Sequence, residues 1–141
     1  MWTDHEKTER KIWGILGLHR LSSLQTYGEN LNMEKLHDRD IREPLFEFLE
    51  ETYGRIRILE EKTMGKSRAD IVMVIPEYLY GIEIKSDADT YARLARQVKD
   101  YDSYYDYNIV VVGSSHALHI EEHVPDYWGI ITVEVIENCF D

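Results

Sequence analysis

Two rhythms of apolar and polar residues run through this 141-residue chain. Between Thr3 and Leu24 the spacing of Ile12, Trp13, Leu16 and Leu21 predicts one amphipathic helix or two, followed by a loop at TYGENLN, residues 26–32. A second helix is predicted over DRDIREPLFEFLEETYG. Ile41, Leu45, Phe48, Leu49 and Thr52 share one face, and Glu43, Glu47 and Glu50 form a solvated row opposite. Pro44 suits a first turn, which places the start at Asp40 or a few residues later, and Gly54 is the expected stop. The rhythm then changes to period two. RIRILEEK puts Ile56 and Ile58 on one face and Arg55, Arg57, Leu59 and Glu61 on the other. RADIVMVI is almost wholly apolar after Asp70, as a strand buried on both faces would be. YLYGIEIK sets Leu79, Glu83 and Lys85 against Tyr78, Tyr80, Ile82 and Ile84, and the turns between these strands fall at MGKS and PE.

A long helix is expected from an N-cap at Asp89 to about Tyr105. A buried strand NIVVVG, a short helical or irregular stretch SSHALHIEEHVP and a last strand GIITVEVI complete the chain. The order helix, three strands, helix, strand, short helix, strand implies an α/β sandwich, with a meander first and later strands arriving through a helical crossover. Residues 1–36 read as an N-terminal helical extension and residues 37–141 as the main domain.

Composition narrows the class. Apolar residues make up 43% and charged residues 30%, a globular profile, and no run approaches the length of a membrane span. The charged start MWTDHEKTERK does not resemble a secretory signal, and the one cysteine, Cys139, has no internal partner for a disulfide. Both features lead to the expectation of a cytoplasmic protein with no membrane partner. The net charge is −11, unevenly spread. Residues 55–99 hold nine basic and seven acidic side chains, whereas residues 100–141 hold nine acidic and no Lys or Arg. Nucleic-acid binding normally calls for a basic surface, so the overall balance opposes it and the middle segment favours it.

The chemistry centres on three residues of that middle segment. Asp70 opens one buried strand, and Glu83 and Lys85 close the next. A hairpin would bring them together. Buried carboxylates need a partner or a metal ion. Two carboxylates and the Ile84 backbone carbonyl are hard oxygen donors that suit Mg²⁺ or Mn²⁺. Lys85 on the same face would hold or polarise a metal-bound water. The chemistry implied is metal-assisted phosphodiester hydrolysis. The plainer alternative is an internal salt-bridge network of Asp70, Glu83, Lys85 and Arg68. On the following helix Gln97 and Tyr101 lie about 40° apart, at 100° per residue, with Arg93 one turn earlier on the same edge.

Asp70, EIK at 83–85 and QVKDY at 97–101 resemble the D…ExK and QxxxY motifs of the PD-(D/E)xK nuclease superfamily, the second being typical of its RecB-like branch. A wider string, RADI…GIEIKSDADT…RL…Q…Y…VVG…H…VP…WGI, is similar to a small single-domain bacterial and phage family in that superfamily. The resemblance covers about Asp38 to Val133. It implies a restriction-endonuclease-like mixed β-sheet flanked by helices, with Asp70 and Glu83 as metal ligands, Lys85 as the catalytic lysine, and Gln97 and Tyr101 as supports for site or substrate. An upstream acidic ligand is also implied, either Glu60 or Glu61, and Glu61 is favoured because Glu60 shares the face of Ile56 and Ile58. Ala69 stands where the motif often has proline.

Other features have more ordinary readings. His116, His119 and His123 would share one face of a helix and could bind zinc, but no fourth ligand accompanies them, and partly exposed histidines are the simpler reading. His116 also matches a recurrent position of the family, which implies contact with substrate. Asp87 and Asp89 could reach the outer shell of a metal, although capping explains Asp89. Trp128 is expected to cover a sheet edge, and the tyrosines of YDSYYDYN to lie half-buried at a helix end, with base stacking as the alternative. The leading expectation is a DNA nuclease dependent on Mg²⁺ or Mn²⁺. Its rivals are an inactive nuclease-fold module in a larger complex and an acidic interaction protein or DNA mimic. A protein partner or a homodimer would supply the missing basic surface.

Overall fold

The computed structural model describes residues 14–21 and 36–138. The helix expected through Ile12 and Trp13, the loop expected at 26–32 and Cys139 lie outside these residues. Within them, six strands form one mixed sheet: β1 (Gly14–Leu21), β2 (Arg57–Met64), β3 (Ser67–Ile75), β4 (Tyr78–Lys85), β5 (Tyr107–Gly113) and β6 (Gly129–Asn138), in the order β1-β6-β5-β4-β3-β2. β2, β3 and β4 make an antiparallel meander, and β4, β5, β6 and β1 run parallel. The helices are α1 (Asp38–Tyr53), α2 (Leu94–Tyr104) and the single turn α3 (Ser114–Ala117), with a 3₁₀ turn at Ile120–Glu122.

The meander and crossover agree with the sequence pattern, but the N-terminal helical extension is corrected over residues 14–21. GILGLHRL is a strand, paired in parallel with Ile131–Asn138. Gly14 and Gly17 each disfavour a helix by about 1 kcal/mol, and the unpaired side of β6 offers a ladder of backbone partners instead. These residues are therefore part of the sheet.

α1 begins at Asp38, two residues before the expected Asp40, so Pro44 sits inside the helix rather than in its first turn. The Asp40 carboxylate accepts the His37 N–H at 3.0 Å, which satisfies an end group and fixes the earlier start. Gly54 ends the helix at φ 78°, a conformation that glycine adopts without strain. Ile41, Leu45 and Leu49 bury the inner face against Ile71, Met73, Ile82, Ile84, Ile109 and Val111. The Glu43, Glu47 and Glu50 row is exposed, as expected.

α2 starts at Leu94 rather than Asp89. The Asp89 carboxylate is committed backwards, accepting from the Ser86 N–H at 2.8 Å and the Ser86 hydroxyl at 2.9 Å, and residues 91–93 turn before the helix begins. Leu94 and Tyr101 pack on the opposite side of the sheet with Val72, Val110, Val112, Ile120, Trp128 and Ile130. Trp128 is fully buried here and does not cover an edge; its Nε1–H donates to Asp102 at 2.8 Å. Gly81 allows this close approach, because a Cβ there would meet Tyr105, Asn108 and Tyr101 at 2.4–2.5 Å.

The β2–β3 hairpin changes its facing part-way along. Ile58 and Ile71 face α1, whereas Met64 and Ala69, each an even number of residues away and so on the same face of a regular strand, lie on the α2 side. The reversal falls at the one interior position missing from the β2–β3 pairing, between Glu60↔Ile71 and Lys62↔Ala69. Glu61 there has φ 55°, the left-handed region. The half-turn brings the hairpin tip onto α2, where the Gly65 N–H donates to Tyr104 Oη at 2.9 Å and the Ser67 hydroxyl donates to Asp100.

Candidate active site

The site lies where β3 and β4 part. Their pairing runs from Ile75↔Tyr78 to Ile71↔Ile82 and stops there. Beyond that point the strands are joined through side chains. Tyr101 Oη accepts the Asp70 N–H at 3.2 Å and stands 3.0 Å from the Ile82 carbonyl and 2.6 Å from Glu83 Oε1, toward which it donates. Asp70 Oδ2 accepts the Ile84 N–H at 2.8 Å. A phenol from α2 and a carboxylate from β3 thus replace ladder bonds and hold the strands open.

Into this opening project Asp70, Glu83 and Lys85. Glu83 and Lys85 are only 3% and 4% exposed. Lys85 Nζ is 3.5 Å from Glu83 Oε2. Burial, followed by the neighbouring charge of Glu83, pushes the Asp70 carboxyl up to about 8, against the favourable bond from the Ile84 N–H. Both causes favour the protonated form of Asp70. Burial, with the charges of Glu83 and Asp70, also keeps the Tyr101 hydroxyl firmly protonated.

The three residues open onto a cleft of about 370 Å³. Asp38, Asp70, Glu83 and Asp89 supply carboxylates to its wall, and Lys66, Arg68, Arg93 and Arg96 are exposed around it. Lys66 and Arg68 come from the turned hairpin tip, Arg96 from α2 and Arg93 from the residue before it. Five of the nine basic residues between 55 and 99 therefore converge on one cleft, Lys85 included. Gln97 also lines it, with its buried Oε1 lacking a hydrogen-bond partner. An orphaned acceptor in an open cleft is suited to a water or ligand that donates.

Most residues singled out from the sequence meet here: Asp70, Glu83, Ile84, Lys85, Arg68, Arg93 and Gln97 line the cleft, and Tyr101 lies directly beneath it. Glu61 does not. Its carboxylate is held by Arg42 at 2.6 Å and Arg68 at 3.0 Å, and Glu60 is likewise held by Arg42 at 3.0 Å. The acidic residue brought to the cleft from upstream is Asp38, on the first turn of α1. The sequence signal for it was the pair Asp38 and Arg42, four residues apart on one helix face.

His116 stands behind the site rather than in the cleft. Its Nε2 donates to the Ser86 carbonyl at 3.0 Å, and its Nδ1 is 2.8 Å from Tyr91 Oη. It braces the residue after Lys85. His116, His119 and His123 do not share a helix face, since α3 ends at Ala117, and His123 stacks on Tyr91 with ring centroids 3.9 Å apart. Asp87 is equally occupied: its carboxylate accepts from the Leu36 N–H at 2.9 Å and from the Ser115 hydroxyl. No group of three or more His, Cys, Asp or Glu side chains among the described residues is arranged to hold a metal ion. The metal donors suggested by sequence reduce to two carboxylates and a backbone carbonyl. Their chemistry fits a hard cation, because the donors are all oxygens, two of them from carboxylates on adjoining strands of one cleft.

The fold and the cleft define a mixed α/β domain that gathers two carboxylates and a lysine at the mouth of an antiparallel hairpin, ringed by basic side chains. The chain belongs to the bacteriophage P4 protein cII family, whose model matches residues 31–139. No curated protein and no solved structure matches it. No helix among the described residues is long and apolar enough to cross a membrane.

Proposed function

We propose that this protein is a metal-dependent nuclease of restriction-endonuclease-like fold that hydrolyses DNA phosphodiester bonds. The observation that carries the reading is the convergence of Asp70, Glu83 and Lys85 at an opened strand pair, within a cleft bordered by Lys66, Arg68, Arg93 and Arg96. Asp70, Glu83 and the Ile84 carbonyl would hold Mg²⁺ or Mn²⁺, which supplies charge neutralisation at the phosphate and a more acidic water. Lys85, buried beside Glu83, donates to the attacking water or to a non-bridging phosphate oxygen and stabilises the charge that develops there. Gln97 Oε1 accepts a hydrogen bond from that water and orients it. The four exposed cations bind flanking phosphates, so a chain of net charge −11 still presents a locally basic surface to a polyanion.

A second reading is favoured by the other end of the chain. Residues 100–141 carry nine acidic and no basic side chains, and Asp106, Glu122 and Glu134 are exposed. That surface suits a basic protein partner, in a complex where this fold binds without cutting.

Incubation with single-stranded, duplex and branched DNA in Mg²⁺ or Mn²⁺, beside Asp70→Ala and Lys85→Ala, distinguishes the two. Cleavage by the wild type that both substitutions abolish supports hydrolysis. Inactivity on every substrate, with no cation bound in calorimetry, refutes it.

A further inference from the structure

We propose that the exposed ring of Tyr104 is a base-stacking subsite, and that the DNA taken by the cleft is therefore single-stranded. This rests on the reading of the cleft as a site that holds DNA, to which it adds the substrate class.

Tyr104 is the last residue of α2 and is 52% exposed, more open than Tyr78 or Tyr127. An exposed tyrosine ordinarily moves among rotamers, but this one is fixed at both ends. Its backbone closes the helix, and its Oη accepts the Gly65 N–H of the hairpin tip at 2.9 Å. The tip holds the ring by its rim and does not cover it. Gly65 has no side chain, and a Cβ there would lie 3.9 Å from Tyr104 Cε1. An aromatic face is thus held open and still, so a base that stacks on it has little side-chain freedom left to remove.

The ring stands in line with the cleft. Gln97, Asp100 and Tyr104 fall within about 60° on α2, and Tyr104 lies about 10 Å beyond Gln97 along the helix axis. That distance is at most about three nucleotides at the 3.4 Å rise of a stacked strand. Lys66 follows Gly65 in the chain and lines the cleft, so a phosphate held by Lys66 lies between the cleft and the ring.

Charge explains why a stacked base is needed. Five basic and four acidic side chains line the cleft, and Arg68 is shared with Glu61 at 3.0 Å. In a chain of net charge −11, phosphate contacts alone give only a modest hold. A duplex offers little else, because its bases are already paired and stacked, and extruding one costs free energy. A single strand offers an open base face, and stacking on an aromatic ring tolerates any sequence.

The test uses the full chain in Ca²⁺, a hard cation for the same oxygens, so that binding is read apart from cleavage. The probes are short oligonucleotides carrying a fluorescent adenine analogue at successive positions, single-stranded and as the matching duplex. The wild type is expected to bind the single strand about tenfold more tightly than the duplex, with the analogue quenched at one or two adjacent positions. Tyr104→Gln keeps an acceptor for the Gly65 N–H but no ring. It should lose the quenching and about tenfold in single-strand affinity, with duplex binding unchanged. Tyr104→Phe keeps the ring without the acceptor and should bind within about threefold of the wild type. Equal affinity for the two forms, or no quenching at any position, overturns the proposal and leaves the nuclease reading of the cleft standing. Equal losses in the two variants mean that the ring serves the hairpin tip alone, and overturn it as well. Quenching is read in the wild type, so the outcome does not depend on either variant folding. Failure to bind either form overturns the DNA reading itself, and this proposal with it.

Discussion

Replacing Asp70 with asparagine should stabilise the metal-free protein at pH 8 and, on the proposed reading, abolish metal-dependent cleavage of DNA. The Asp70 carboxyl is pushed from an ordinary 3.8 up to about 8, by burial first and Glu83 second. In the unfolded chain it ionises near its ordinary value. Because the folded pKa is the higher one, the folded state binds the extra proton. Its stability contribution is complete below pH 4 and is lost progressively as pH rises toward 8. A gap of roughly four units, at about 1.4 kcal/mol per unit, sets a ceiling on the order of 5 kcal/mol. Solvent still reaches a side chain that is 20% exposed, and Arg42 stands nearby, so about 2 kcal/mol is the expected share. For a chain of this length that is a rise of roughly 6–10 °C in melting temperature. Asparagine keeps an acceptor for the Ile84 N–H and offers Glu83 a donor, so the substitution removes the charge and little else. Thermal melts in a chelating buffer at pH 5, 6, 7 and 8 measure the difference. The advantage of Asp70→Asn should grow with pH and, on the proposed reading, shrink when Mg²⁺ is added, since a bound ion would stabilise only the wild type. A variant that melts below the wild type at pH 8 without metal, or a difference that does not change with pH, would show that the carboxyl pair carries no such burden.

Tyr101→Phe should cost about 1–3 kcal/mol, as it strips the Asp70 N–H and Glu83 of a buried partner, and amide exchange at Asp70 should accelerate with it. Gly81→Ala should lower stability by about 1–3 kcal/mol in a denaturant titration, because its methyl group meets two rings and an amide at 2.4–2.5 Å; an unchanged midpoint would mean that α2 can lift from the sheet. Alanine at Lys66, Arg68, Arg93 or Arg96 should each weaken DNA binding and reduce the slope of log K against log salt by about 1. A slope left unchanged by all four would place the DNA elsewhere on the surface.

The period-two segments from 57 to 85 and the apolar strands from 107 onward were legible because both faces or alternate faces are buried, and burial writes itself into residue order. Asp70, Glu83 and Lys85 were legible for the opposite reason: they are charges in positions where apolar residues would otherwise stand. What failed was local. GILGLHRL has enough apolar residues for a helix, and only pairing with β6, more than 110 residues along the chain, makes it a strand. The late start of α2 depends on Asp89 bonding backwards to Ser86 rather than forwards. The choice between Glu60 and Glu61 was framed by strand parity, which Glu61 itself breaks with a left-handed backbone. Arg42 showed only its spacing from Asp38, because its contacts with Glu60, Glu61 and Asp70 come from two strands it meets in space.

The half-turn at Glu61 also makes the hairpin two devices in one. From Arg57 to Glu60 it is an ordinary member of the sheet, and beyond Glu61 it is an arm whose tip rests on α2 through Tyr104 and Asp100. Asp70 sits on the crease. The arm carries Lys66 and Arg68, so on the proposed reading a polyanion held by those side chains would act on a segment that leads directly into Asp70. On that reading, contact with a phosphate backbone and alignment of Asp70 would be coupled through one short segment.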